Sequence, residues 1–254
     1  MTHSTYDRPI TAPRLYADLA AWFPLLTPRE DYSEEARIYQ DIIERHCVGR
    51  SVQTLVELGC GGGHNASYLK ARFRLTLTEL SSEMLALSIC INPNCEHLQG
   101  DMRTLRLERH FDAVLIHDAI SYMTSEADLA ATLTTAFVHC APGGVALFCP
   151  DSIRETFQEG TEHGGSDSGE RGIRYLEWTT DPDPNDHQYQ TDFAFLLREG
   201  ENIWVERDRH TLGLFSRADW ERLIRQAGFE CLAVPFEHKD VPDGSVLFVG
   251  RKAE

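Results

Sequence analysis

One segment constrains this chain more than any other: residues 56–65 read VELGCGGGHN. The apolar stretch SVQTLVEL leads into the glycines, and the helical pattern HNASYLKARF follows them. Glycines between a strand and a helix let the backbone approach a ligand closely, and the helix N-terminus offers free N–H groups. The segment therefore predicts a ligand-binding turn inside an α/β fold.

The pattern around this turn predicts the rest of the core. Strand-like stretches SVQTLVEL, FRLTLTEL, EHLQGD, FDAVLIHDA and VALFCPD alternate with helical ones. Such alternation is typical of a parallel sheet covered by helices on both faces. Three stretches after Asp151 show partial period-2 alternation, which favours antiparallel strands. A final helix and two strands close the chain, and the glycine-rich residues 160–172 are interpreted as a mobile loop, preferably a lid.

These patterns predict an α/β fold: a doubly wound, Rossmann-like seven-stranded sheet with an antiparallel β insertion after strand five. Four regions follow from them. Residues 1–48 form an N-terminal helical cap, and 49–150 form the ligand-binding core. Residues 151–214 form the insertion, and 215–254 supply the helix and strands that complete the core sheet.

The charge balance argues against several kinds of partner. Lys and Arg number 24 against 40 Asp and Glu, so the net charge is −16 at pH 7. A surface this acidic repels nucleic acid and anionic membranes. No signal-peptide pattern, long apolar run or C-x-x-C pair is present, and the cysteine count of seven is odd. We therefore expect reduced thiols, a cytoplasmic location and no metal site.

Two ligand motifs compete for the glycine turn. A dinucleotide fingerprint, G-x-G-x-x-G, fails because His64 occupies its third glycine position. The pattern E-x-G-x-G-x-G is met by Glu57, Gly59, Gly61 and Gly63. It resembles motif I of the class I S-adenosylmethionine-dependent methyltransferases. A nicotinamide-dependent dehydrogenase stays as a less favoured alternative.

Acidic residues recur at the ends of the following strands. Glu57, Glu79 and Asp101 are separated by 22 residues each, one strand–helix unit, so all three reach the carboxyl edge of the sheet. A carboxylate at Glu79 can accept hydrogen bonds from both ribose hydroxyls, and Leu80 can pack on an adenine face. Asp101 can accept from the adenine amino group, while Met102 packs on the ring.

The resemblance extends beyond the glycine turn. FDAVLIHDAISYM and PGGVALFCPD resemble the fourth and fifth motifs of the same family. The order of segments is similar to that of the N,N-dimethyltransferases acting on amino groups of nucleotide-linked deoxysugars. In that group an N-terminal tyrosine lies over the sulfonium end of the cofactor, and Tyr16 and Tyr32 are the matching positions here. The face of an aromatic ring attracts a cation such as the sulfonium. The resemblance also implies that the inserted strands pair subunits, hence a possible homodimer.

The resemblance predicts methyl transfer from S-adenosyl-L-methionine to a nitrogen or oxygen of a small-molecule acceptor. A protein or peptide acceptor and a non-catalytic cofactor-binding protein remain alternatives. An amine must lose a proton, which His117, Asp118 or Tyr122 could take or route; His117 is favoured for its near-neutral pKa. Positioning alone, without a protein base, stays open. The predicted cofactor-binding residues are Tyr16, Tyr32, Glu57, Gly59, Gly61, Glu79, Leu80, Asp101, Met102 and His117.

Overall fold

The computed structural model describes residues 13–49, 51–238 and 241–254. The first twelve residues of the predicted cap therefore lie outside the described residues. The core is one seven-stranded sheet in the order β11-β12-β5-β4-β1-β2-β3. Its strands are β1 (Thr54–Leu58), β2 (Arg74–Glu79), β3 (Glu96–Gln99), β4 (Phe111–His117), β5 (Cys140–Cys149), β11 (Glu230–Pro235) and β12 (Val246–Arg251).

The strand directions explain where a ligand can bind. β1 to β5 run parallel, whereas β12 is antiparallel to β5 and β11 antiparallel to β12. The chain winds from β1 outward through β2 and β3, then returns to β4 on the other side of β1. The order reverses between β1 and β4, and open α/β sheets bind ligands in the crevice at such a point.

Helices cover both faces of this sheet. They are α1 (Phe23–Leu26), α2 (Ser33–His46), α3 (His64–Leu69), α4 (Ser82–Ile91), α5 (Glu126–His139) and α6 (Arg217–Gln226). Alternate residues of each strand enter different cores: Val56 and Leu58 pack with α5 and α6, whereas Leu55 packs with α2 and α3. The predicted doubly wound, seven-stranded α/β fold is confirmed.

The predicted insertion is a second, antiparallel sheet. It contains β6 (Gly160–Gly164), β7 (Asp167–Ser168), β8 (Arg171–Thr180), β9 (Gln188–Glu199) and β10 (Asn202–Gly213). The strands pair in the order β10-β9-β8-β6, with β7 also paired to β8. The prediction of a loop over 160–172 was wrong, because backbone pairing to β8 holds these residues although they lack an apolar pattern. Gly165, at a φ of +136°, permits the break between β6 and β7.

The N-terminal segment fills the space between the two sheets. Two short 3-10 helices, Arg14–Tyr16 and Ala20–Trp22, precede α1 in this segment. Leu15, Leu19 and Trp22 of this segment pack against the inner face of the antiparallel sheet. The sheet residues in this contact are Ile173, Phe195 and Leu197. The Leu15 N–H donates to Oδ2 of Asp208 at 2.7 Å. The cap is thereby tied to β10.

Two features are absent from the described residues. Within those residues no helix combines the length and apolar character needed to cross a membrane. The same part of the chain shows no cluster of three or more His, Cys, Asp or Glu able to hold a metal ion.

Candidate active site

A cavity of about 1060 Å³ opens at the carboxyl edge of the core sheet, between that sheet and the antiparallel one. The ends of β1, β2, β3 and β4 contribute to its wall, as do the N-terminal segment and the inner face of β8 to β10. All twelve residues predicted for the site line it: Tyr16, Tyr32, Glu57, Gly59, Gly61, Glu79, Leu80, Asp101, Met102, His117, Asp118 and Tyr122. The structure thus brings together residues that span more than 100 positions of the chain.

The glycine turn forms one wall of the cavity. Gly59 and Gly61 have φ angles of +76° and +53°, which side chains rarely tolerate. A Cβ on Gly59 would lie 2.5 Å from Cβ of Ala119 and 2.7 Å from Cε of Met102. The Gly61 N–H donates to Oε2 of Glu79 at 2.9 Å. Both conformation and space therefore require glycine at position 59.

Backbone N–H groups hold the Glu79 carboxylate in place. Its Oε1 accepts from the N–H groups of Leu80 and Ser81 at 2.8 and 2.9 Å, besides the Gly61 bond to Oε2. Leu80, next along the chain, is 61% exposed on the cavity rim. An oriented carboxylate beside an open apolar side chain suits a ribose with a base next to it.

Asp101 is held by an ion pair at the far end of the cavity. Nη2 of Arg103 lies 2.7 Å from its Oδ2, and Nη1 of Arg103 lies 3.1 Å from Oδ1 of Asp128. The hydrogen bond from Arg103 lowers the pKa of Asp101 below its ordinary range. Asp101 is thus an oriented, ionised acceptor beside Met102, which packs partly buried against the core.

Glu57 is a buried acid in the wall of the cavity. It is 2% exposed, and within the described part of the chain its Oε2 has no hydrogen-bond partner. Burial raises its pKa to about 8, an effect that the charge of His117 reduces. A lone buried carboxyl in the cavity wall fits a ligand with a positive group, such as the amino and sulfonium groups of S-adenosylmethionine.

This acid makes stability depend on pH. The folded protein keeps the Glu57 proton up to about pH 8, whereas the unfolded chain loses it near pH 4.3. Stability from this site is therefore full below pH 4 and falls as pH rises to 8. The advantage of Glu57→Gln over the wild type in the free energy of unfolding should therefore grow by on the order of 3 kcal/mol between pH 5 and pH 8.

Urea denaturation of the apo protein at pH 5 and pH 8 measures this difference. Glu83→Gln serves as the matched control, because Glu83 lines the same cavity and is solvated. An equal pH dependence in the wild type and Glu57→Gln would contradict the assignment.

His117 lies between two carboxylates. Its Nε2 is 2.7 Å from Oδ1 of Asp118 and 3.1 Å from Oε1 of Glu35, and Asn65 Nδ2 lies 3.2 Å from its Nδ1. Burial lowers its pKa, but the charges of Asp118 and Glu35 outweigh this effect and raise the pKa well above its ordinary value. His117 is thus held in its charged form, which does not suit the favoured role of proton acceptor.

Asp118 and Asp151 form a carboxyl pair on the cavity floor. Asp118 has a φ of +23°, a strained conformation for a residue with a side chain. Enclosure by the protein raises its pKa, yet the charge and hydrogen bond of His117 lower it overall. Enclosure and then the charge of Asp118 raise the pKa of Asp151 well above its ordinary value. Of the two carboxyl groups, Asp151 is therefore the one that is more readily protonated.

A hydrogen-bonded chain of side chains leads from the cavity into β10. The Tyr122 hydroxyl lies 2.7 Å from Nδ1 of His210, and Nε2 of His210 lies 3.1 Å from Oδ2 of Asp208. Because Nε2 faces a carboxylate, the ring hydrogen belongs there, so Nδ1 accepts the Tyr122 proton. The hydroxyls of Tyr122 and Tyr16 are 3.0 Å apart. The arrangement has the order hydroxyl, imidazole, carboxylate of a proton relay.

Sequence reasoning identified His117, Asp118 and Tyr122 but missed the residues that surround them. The missed residues are Glu35, Asn65, Asp151, Asp208 and His210. One signal was available: Asp208 and His210 alternate along a strand, so they share one face. Nothing in the sequence showed that this face meets the turn after β4, because the packing of the two sheets decides it.

The two predicted tyrosines both reach the cavity. The Tyr16 ring lies 5.6 Å from the Tyr122 ring, and its carbonyl accepts a hydrogen bond from Ser81. The Tyr32 ring lies 5.0 Å from the His64 ring. Burial raises the pKa of both phenols, so both stay neutral. Neutral, oriented rings at these places can face a cation.

Known proteins resemble this chain over most of its length. A family described as "Methyltransferase domain" matches residues 29–234. A dTDP-3-amino-3,6-dideoxy-alpha-D-glucopyranose N,N-dimethyltransferase from Streptomyces fradiae is 27% identical over 224 residues, covering 87% of this chain and 85% of the relative.

Solved structures agree. Streptomyces venezuelae DesVI superposes with a TM-score of 0.80 at 26% identity, covering 94% of this chain and 98% of DesVI. CalS10 from Micromonospora echinaspora, an amino pentose methyltransferase solved with S-adenosylmethionine, has a TM-score of 0.76 at 23% identity, and each chain covers all of the other.

These findings confirm the predicted family, the class I S-adenosylmethionine-dependent methyltransferases. The family match covers most of the chain, and its range includes both the glycine turn and the relay residues. The glycine turn, the oriented Glu79 and the orphaned Glu57 fit the cofactor that such enzymes use. The chain belongs to the methyltransferase-domain family and is a class I S-adenosylmethionine-dependent methyltransferase.

Proposed function

We propose that this protein transfers a methyl group to an amino nitrogen of a small molecule. The observation that carries the proposal is the Tyr122–His210–Asp208 chain, which ends in the cavity beside the Asp118–Asp151 pair. An amino group must lose a proton in the reaction and therefore needs a proton acceptor. Nearby carboxylates do not repel it, because its protonated form is a cation. The name of the Streptomyces fradiae relative, an amino-sugar N,N-dimethyltransferase, supports the same class of acceptor.

S-adenosylmethionine supplies an activated methyl group on its sulfonium sulfur. Glu79 and Asp101 would bind its ribose and adenine, with Leu80 and Met102 against the ring. Glu57 would bind its positively charged end, with the glycines at 59 and 61 giving the backbone room to approach. Tyr16 and Tyr32 would face the sulfonium.

The chain's own residues then hold the acceptor and move its proton. Tyr122 accepts the amine proton at its hydroxyl oxygen while giving its own proton to Nδ1 of His210. Asp208 stabilises the imidazolium that forms, because its carboxylate contacts Nε2. Asp208 also holds the cap through Leu15, so the relay and the cavity wall form together. His117, already charged, orients Asp118.

The test is direct. Purified protein is incubated with S-adenosylmethionine and a panel of primary amino sugars, and the products are analysed by mass spectrometry and NMR. We expect S-adenosylhomocysteine and a methyl group on nitrogen. Methylation of a hydroxyl alone, or of peptide acceptors in preference to every amine, would contradict the proposal.

We also propose a homodimer built on the outer face of the antiparallel sheet. Five large apolar side chains on that face are exposed: Leu176, Trp178, Leu196, Ile203 and Val205. Strand register places them together, since Leu196 pairs with Val205 and with Arg174, two residues from Leu176. So large an exposed apolar patch is typical of a protein interface. Residues 151–214 would then serve acceptor binding on one face and pairing on the other.

Val205→Glu, which places a charge in this patch, should convert the dimer to a monomer. Light scattering coupled to gel filtration measures the mass, and Arg207→Glu, at an exposed charged position on the same face of β10, is the control. A wild type that elutes as a monomer at high concentration would refute the homodimer.

A cytoplasmic location is part of the proposal. Cys60, Cys90, Cys95, Cys149 and Cys231 are free thiols, and Cys90 is exposed. Free exposed thiols suit a reducing compartment.

A further inference from the structure

Three buried side chains in the cavity wall each have one unsatisfied polar atom. Glu57 lies near the carboxyl end of β1, and His64 and Asn65 begin α3. The three residues are 2%, 4% and 3% exposed. Among the residues that the structure describes, Oε2 of Glu57, Nδ1 of His64 and Oδ1 of Asn65 have no hydrogen-bond partner. Buried polar atoms without partners cost free energy, so three in one cavity wall indicate a ligand that supplies the missing bonds.

The Asn65 amide has a defined orientation. Its Nδ2 donates to Oε1 of Glu35 at 2.9 Å. Because a carboxylate only accepts, the amide nitrogen faces Glu35 and the carbonyl oxygen is the atom left for a ligand. The ligand group that meets this oxygen must therefore be a donor, and Glu35 on α2 is a positioning residue for Asn65.

The His64 ring is fixed and uncharged at neutral pH. Phe23 stacks on it with ring centroids 5.3 Å apart, and Tyr32 lies edge-on to it at 5.0 Å. Burial, and then the charge of Arg29, lower the pKa of His64 to about 4. A neutral imidazole with its hydrogen on Nε2 has an acceptor at Nδ1. His64 thus offers a second acceptor next to that of Asn65.

Glu57 lies close to this pair of acceptors and to the predicted ribose site. Besides burial, which has the largest effect, the charges of Glu35 and Glu79 raise its pKa. Glu35 is the residue that holds Asn65, and Glu79 is the carboxylate next to the glycine turn. The three unsatisfied atoms therefore belong to the part of the cavity that receives the cofactor.

The missing bonds identify the kind of group that binds here. A primary ammonium has three N–H donors and a positive charge, so it can bond to all three atoms and pair with the carboxylate of Glu57. A hydroxyl has one donor, and a sulfonium has none. In S-adenosylmethionine the group of this kind is the α-ammonium of the methionyl end.

We propose that Glu57, His64 and Asn65 bind the α-ammonium group of S-adenosylmethionine, each accepting one N–H through its unsatisfied atom. His64 and Asn65 are thereby further cofactor-binding residues. The inference rests on the cofactor and not on the proposed amine acceptor, so either proposal can fail while the other stands.

Three ligands test the proposal on the full chain. S-adenosylhomocysteine has the α-ammonium, and its deamino analogue keeps the carboxylate but lacks the ammonium. Methylthioadenosine lacks the whole amino-acid part. Isothermal calorimetry measures the three dissociation constants. We expect the wild type to bind S-adenosylhomocysteine at least about tenfold more tightly than the deamino analogue.

Variants locate the ammonium. Asn65→Leu and His64→Phe should each weaken binding of S-adenosylhomocysteine about 5- to 50-fold, while both other ligands stay within about twofold of the wild type. A loss that needs the ammonium cannot come from a general change of cavity shape. Glu83→Gln is the control, because Glu83 also lines the cavity but is exposed. The isosteric Glu57→Gln keeps the test available if Asn65→Leu folds poorly, and it should show the same selective loss.

Binding should also displace a proton from Glu57. Burial raises its pKa to about 8, so it is mostly protonated at pH 7, and an adjacent ammonium favours its ionised form. Calorimetry in two buffers of different ionisation enthalpy should show about one proton released with S-adenosylhomocysteine and none with the deamino analogue. Glu35, Glu79 and His117, which act on Glu57, are present with both ligands, so the difference reports Glu57. Glu57→Gln should release none.

The outcomes decide the proposal. Equal affinity of the wild type for S-adenosylhomocysteine and its deamino analogue would overturn it. Variants that weaken both ligands equally would also overturn it, because the residues would then only shape the cavity. Either result leaves N-methyl transfer intact, since the panel of amino sugars tests that separately.

Discussion

Glu79→Ala is expected to weaken binding of S-adenosylhomocysteine about 100-fold, equivalent to about 3 kcal/mol. The substitution removes the carboxylate that we assign to the ribose. It also frees the N–H groups of Gly61, Leu80 and Ser81, which hold the wall of the cavity in shape. Isothermal calorimetry at pH 7.5 measures the dissociation constant.

The matched control for this variant is Glu83→Ala. Glu83 lines the same cavity, but within the described residues its exposed carboxylate accepts hydrogen bonds from Ser81 and Ser82 alone. It should bind within about threefold of the wild type. A Glu79→Ala protein that is folded and binds normally would refute the assignment of Glu79 to the cofactor.

Tyr122→Phe is expected to lower kcat about 10²- to 10³-fold, the range for loss of a proton acceptor. Only the hydroxyl is lost, so the ring keeps its contact with Tyr16 and the fold is preserved. Affinity for S-adenosylhomocysteine should not change. His210→Gln should show a similar loss, and the double variant should be no worse than either, because both residues act in one relay.

Tyr175→Phe is the control, because Tyr175 also lines the cavity but makes no hydrogen bond in the relay. A steeper pH dependence in Tyr122→Phe is the additional signature, since the variant then needs amine that is already neutral. If kcat is unchanged in both relay variants, positioning alone is sufficient and the protein base is excluded.

The sequence predicted the core well because local rules determined it. β1, the glycine turn and α3 have short-range signals: an apolar strand, glycines at positive φ and a helical pattern. The 22-residue spacing of Glu57, Glu79 and Asp101 places them at one sheet edge by geometry alone. These three residues and the other nine predicted for the site line one cavity.

The predictions from the sequence were wrong where long-range strand pairing, and not the local residue pattern, determined the structure. Residues 160–172 have polar and glycine residues that favour a loop, yet β6 and β7 pair with β8 through backbone hydrogen bonds. The first described part of the predicted helical cap forms separate short helical turns, because the inner sheet face and the core both contact it. In both places long-range contacts outweighed local preference.

The charge state of His117 also depends on residues that are distant in the sequence. Its ordinary pKa suggested a base, but Glu35 from α2 and Asp118 at the end of β4 surround it and keep it charged. Glu35 is 82 residues away in the chain, so only packing could reveal it. The relay partner of Tyr122, His210, is 88 residues away for the same reason.

The sequence alone determined the fold class, the cofactor and the residues placed at the carboxyl edge, because repeating strand–helix units and glycine conformations are local properties. Only the tertiary structure decided the electrostatics: which carboxyl groups face each other, which histidine is charged and which tyrosine has a proton acceptor behind it. Those properties depend on distances and burial between segments far apart in the chain, and charge interactions change steeply with both.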